Sequence, residues 1–65
     1  MDNIVQIEVV LNMFNTVFAK AVYFKDISLI QDLGKIRYNI YYGNFDYKKM
    51  LQELKEIDLK LDDYE

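Results

Sequence analysis

The sequence predicts a small all-α domain: a three-helix up-down-up bundle with a long first helix, associating as a dimer. Three observations point there. Apolar residues recur at helical spacing along the chain. Stop and start signals interrupt that period twice, at Lys25-Asp26 and at Gly43-Asn44-Phe45-Asp46. The connections are so short that consecutive helices must lie antiparallel.

The first element is read from about residue 3 to residue 24. Ile4, Ile7, Val10, Leu11, Phe14, Val17, Phe18, Ala21 and Val22 make a broad apolar arc, and Asn3 with Gln6 fits a helix start. Such a helix runs about 30 Å at 1.5 Å per residue. Glu8, Asn12, Asn15, Thr16 and Lys20 occupy the other side, where Val5, Val9 and Met13 form a second line four residues apart. A monomer has no evident use for that line, so it marks a seam for a partner. The rival element is a strand over 4–11, because Val5, Ile7, Val9, Leu11 and Met13 alternate. Helix is preferred because its period continues through Val22 and the alternation does not.

The middle element carries both periods. Leu29, Leu33, Ile36 and Ile40 make a helical stripe, whereas Ile36, Tyr38, Ile40 and Tyr42 make a strand stripe over 35–42. Ser28 with Gln31 has capping-box spacing, Gly43 supplies a left-handed stop, and Gly34 offers a place for close approach. Helix is therefore expected here too.

The third element, from Asp46 to about Asp62, is the clearest. Tyr47, Met50, Leu51, Leu54, Ile57 and Leu61 share one face, with Lys48, Lys49, Gln52, Glu53, Glu56 and Lys60 off it. Asp46 is the expected cap, and Glu56 with Lys60 an i,i+4 ion pair. Asp62, Asp63 and Glu65 oppose the helix dipole, so residues 62–65 are expected to form a frayed acidic tail.

Composition narrows the function classes. The 65 residues make one domain, 1–65, that is 52% apolar and has no Cys, His, Pro or Trp. Disulfides and ordinary zinc sites are excluded, so a small core must be held by packing, and association is the natural way to cover the surplus apolar surface. Polar residues interrupt the first apolar run, and Asp2 stands where a signal peptide carries positive charge. A cytoplasmic protein without membrane attachment is expected. Abundant Ile, Lys, Asn, Tyr and Phe suggest an AT-rich genome of the bacterial or phage kind.

Catalysis finds little support, because Ser28 and Thr16 are the sole aliphatic hydroxyls and no His can activate them. Carboxylate pairs such as Asp58 with Asp62, or Glu53 with Glu56, lie on a solvated helix. No enzyme, cofactor or metal is expected.

The charge of −3 is uneven, since residues 53–65 hold −4 and residues 1–52 hold +1. The expected function is that of a small regulator or inhibitor, phage-like in size, which docks an apolar and aromatic helical face onto a larger protein. Its candidate contacts are Val5, Val9, Met13, Tyr38, Tyr41, Tyr42 and Phe45. The alternative is a regulator that binds single-stranded or structured RNA or DNA through residues 35–49. There Lys35, Arg37, Lys48 and Lys49 interleave with aromatic rings.

Overall fold

A computed structural model of the protein describes the backbone of residues 2–65 and the side chains of residues 4–65. Three helices, α1 (Asp2–Phe24), α2 (Ile27–Tyr41) and α3 (Tyr47–Asp62), pack together. No strand occurs among the described residues. In α1 the deciding residue is Val10, which an alternating strand would turn away from its neighbours Val9 and Leu11. It is instead fully buried with Phe14, Val17 and Ala21, the i, i+4, i+7, i+11 series of one helical face. In α2 the same period buries Leu29, Leu33 and Ile36, and Gly34 leaves the helix unbroken.

The core is completed by Met50, Leu54, Ile57 and Leu61 of α3, the face expected from the sequence. Burying each large apolar side chain contributes about 1.5–3 kcal/mol. α1 touches both other helices extensively, whereas α2 and α3 meet over a smaller area. Ile4 and Val22, expected within the packed arc, are exposed. The buried stripe on α1 is narrower than the arc and begins only at Val10. The start signal at Asn3 rests on a side chain outside the described residues.

α1 ends in a Schellman turn that the sequence did not announce. Lys25 takes φ 58°, its N–H donates to Val22 O at 3.1 Å, and the Asp26 N–H donates to Ala21 O at 3.0 Å. The turn delivers Asp26, with extended φ and ψ, to the N-cap of α2, where its Oδ1 accepts the Leu29 N–H at 3.0 Å. Asp26 therefore takes the role expected of Ser28, which lies inside the helix. Asp46 caps α3 as expected, accepting the Lys49 N–H at 3.2 Å.

Both glycines act differently from expectation. Gly43 does not adopt a left-handed φ; its lack of a side chain lets the chain pass against Asn39, whose Cα lies 3.0 Å from where a Cβ would stand. Around Gly34 a Cβ would meet nothing within 4 Å among the described residues, so none of them makes the expected close approach.

The molecule is elongated, 37 × 19 × 16 Å, and exposes 4886 Å². A compact monomer of 7.8 kDa is expected to expose about 4,400 Å². The excess follows from the unsupported first turns of α1 and the uncovered side of α2. By length and composition the stretch Ile4–Phe24, with hydropathy 1.3, is also apolar enough to cross a membrane, and 22% of its most apolar part is buried in the bundle.

Candidate protein-docking face

On α2, Ile27, Ile30, Gly34, Tyr38 and Tyr41 follow one another at intervals of three, four, four and three residues. Helical geometry gathers them into one stripe, about a third of a turn away from the buried Leu29–Leu33–Ile36 stripe. Ile30 partly buries its side chain against the core, which anchors the stripe to the fold. The tyrosines do not fold back: Tyr38 is 61%, Tyr41 58% and Tyr42 80% exposed. They touch one another, with Tyr38 and Tyr42 ring centroids 5.5 Å apart and Tyr41 and Tyr42 6.3 Å apart.

Arg37, Tyr38, Tyr41 and Tyr42 surround Gly34 to form an open depression of about 500 Å³. A second groove runs between α1 and α2, lined by Leu11, Phe14, Phe18, Arg37 and Tyr41. Phe14 and Phe18 stack there at 5.6 Å. Because Arg37 and Tyr41 border both hollows, aromatic and aliphatic surface continues from α1 across α2. Such a surface suits protein contact: Tyr and Arg offer large contact area with a polar tip, and a glycine between rings leaves a hole for an incoming side chain.

The expected contacts divide on inspection. Tyr38, Tyr41 and Tyr42 come together on this face. Val5 and Val9 are exposed near the N-terminal end of α1 and line neither hollow. Met13 and Phe45 are partly buried and packed against the core, because each lies on the side of its segment that faces the bundle. Tyr47 likewise packs inward. Ile27, Ile30, Phe18 and Leu11 were not expected on the face; the three-four-four-three spacing of the first two was the available signal.

The four expected cations do not form one surface. Arg37 alone borders the tyrosines. Lys35 lies in the cleft between α2 and α3 with Asp32, Glu53 and Glu56. Lys49 borders a third hollow with Asp46 and Glu53, and Lys48 is exposed on the first turn of α3. Residues 35 and 37 point to opposite sides because two residues turn a helix by about 200°.

The paired carboxylates of α3 are also placed. Lys20 Nζ lies 2.8 Å from Asp58 Oδ1 and 3.9 Å from Asp62 Oδ1, tying α1 to α3. The hydrogen bond to Asp58 holds the Lys20 ammonium above its ordinary pKa despite partial desolvation. Glu56 and Lys60 do not approach to ion-pair distance.

At the opposite end of the molecule the tail is engaged. Tyr64 stacks on Phe24 with centroids 4.8 Å apart, and its hydroxyl donates to Asp26 Oδ2 at 2.6 Å. That bond, followed by the one from the Leu29 N–H, lowers the Asp26 pKa, and it raises the Tyr64 pKa.

No protein-family model, curated protein or solved structure matches this chain.

Proposed function

We propose that this protein is a non-enzymatic interaction module that docks the aromatic face of α2 onto a larger protein and so regulates or inhibits it. The observation that carries the reading is the cluster of Tyr38, Tyr41 and Tyr42, exposed around Gly34 and Arg37 with no intramolecular role in the core. Truncating such anchors typically costs the most binding energy in a protein interface. The scatter of Lys35, Arg37, Lys48 and Lys49 among acidic neighbours weighs against the alternative of RNA or DNA binding, which needs a continuous positive track.

We place the chain in the cytoplasm, with α1 as a core helix. The burial of Val10, Phe14, Val17 and Ala21 against the other helices supports this reading. The up-down-up order is supported by Lys20 meeting Asp58 while Phe24 meets Tyr64, so that contacts advance in the same direction along α1 and α3. Association as a dimer is supported by the surface in excess of a compact monomer.

The test is affinity capture from the native host with three baits: wild type, Tyr41→Ala/Tyr42→Ala, and Lys55→Ala as an off-face control. Circular dichroism confirms that each is folded. A protein retained by wild type and control but lost with the tyrosine variant is expected. Equal retention by all three baits overturns the reading, and a salt-sensitive gel shift on single-stranded RNA would favour the alternative.

A further inference from the structure

The stripe on α2 has a property beyond its exposure: it reads the same in both directions. From Gly34 the next stripe positions lie four and seven residues away on either side, Ile30 and Ile27 toward the N-terminus, Tyr38 and Tyr41 toward the C-terminus. Two such helices laid antiparallel and crossing at position 34 therefore set each Ile30 against a Tyr38 and each Ile27 against a Tyr41. A two-fold interface requires this kind of self-complementarity.

We infer that α2 pairs antiparallel with α2 of a second copy of this chain, with the helices crossing at Gly34. This rests on the reading of the face as a protein-contact surface and assigns it a further occupant. Gly34 supplies one argument. An interior helical glycine destabilises the helix relative to alanine, and nothing among the described residues uses the space it leaves. A second helix crossing there would use it. Area supplies the other argument. Tyr38, Tyr41, Tyr42 and Ile27, each more than half exposed, leave roughly 500 Å² open per chain, taking about 200 Å² for a whole tyrosine. Complete coverage of these side chains on both copies would bury about 1,000 Å², the size at which an interface exceeds a casual contact.

The absence of cysteine makes the register directly readable. Helices packed 8–10 Å apart bring facing Cα atoms to roughly 3.5–5.5 Å, within disulfide reach. Gly34→Cys, whose side chain clears its own chain, and Lys55→Cys on exposed α3 are each oxidised mildly, while wild type and Tyr38→Asp/Tyr41→Asp are sedimented to equilibrium at micromolar concentrations. The expected result is a wild-type dimer, a monomeric and folded aspartate variant, and cross-linking at least tenfold faster for position 34 than for position 55. A wild-type monomer overturns the inference, even where the tyrosine face still captures another protein, in which case the docking reading stands alone. A dimer that persists in the aspartate variant, or that cross-links equally at both positions, overturns it as well.

Discussion

The Tyr64 hydroxyl donates a 2.6 Å hydrogen bond to Asp26 Oδ2, while the other oxygen of the same carboxylate caps α2 through the Leu29 N–H. One side chain thus joins the end of α1, the start of α2 and the tail, which the sequence leads one to expect frayed. The bond needs Asp26 ionised and Tyr64 protonated. Asp26 has its pKa lowered from 3.8, so its contribution is present above pH 4 and lost as pH falls through the folded value. Tyr64 has its pKa raised from 10.0, so its contribution is present below pH 10 and lost as pH rises through the folded value. Melting curves of wild type and Tyr64→Phe should therefore differ between pH 5 and 9 and converge at both extremes. A constant difference across pH would show that the ring stacking on Phe24, and not the hydrogen bond, is what the variant disturbs.

Capping predicts an order among carboxylate variants. Asp46→Ala removes one cap bond and should cost about 1 kcal/mol, lowering Tm by about 4–8 °C. Asp26→Ala should lower Tm further, because the bond from Tyr64 goes with the cap. Ser28→Ala should change little, since Ser28 is an exposed residue inside α2. Thermal melts of the three variants give the ranking.

Backbone conformation predicts opposite signs for two glycine exchanges. Lys25→Gly relieves the left-handed φ of 58° and should stabilise by about 1 kcal/mol. Gly43→Ala forces a Cβ against the Asn39 backbone and should destabilise by about 1 kcal/mol. Urea midpoints at unchanged m would confirm both, and a stabilising Gly43→Ala would contradict the packing described at that turn.

Core truncation should be severe. Leu54 is fully buried between the helices, and Leu→Ala there costs about 2–5 kcal/mol. A 65-residue domain has roughly 3–10 kcal/mol in all. Leu54→Ala should accordingly be partly or wholly unfolded at 37 °C by circular dichroism, whereas Leu59→Ala, on the exposed side of the same helix, should melt like wild type.

How much of this was legible in the sequence differs by element. α3 was legible almost entirely, because all its apolar residues but Leu59 keep to one face and Asp46 stands immediately before them. The ends of α2 were half legible: Lys25-Asp26 marked the break, but Ser28 and Gln31 imitate a capping box, and only the left-handed Lys25 brings Asp26 to the cap. Gly43 shows why a glycine alone is ambiguous, since space and φ both select it. Met13 continues the line of Val5 and Val9, yet the packing of the bundle covers that side of α1 at its level. The bond between Tyr64 and Asp26 joins residues 38 positions apart and leaves no local pattern. On the candidate face the tyrosines were legible as aromatics, but their separation from Lys35 follows from helical phase once residues 35–41 are known to be helical.

The most direct test of the central claim is the affinity of the captured partner for wild type and for Tyr41→Ala/Tyr42→Ala, measured by isothermal titration. A docking face anchored by these rings predicts at least tenfold weaker binding, which corresponds to about 1.4 kcal/mol, with Tm unchanged. An unaltered Kd in a folded variant would contradict it.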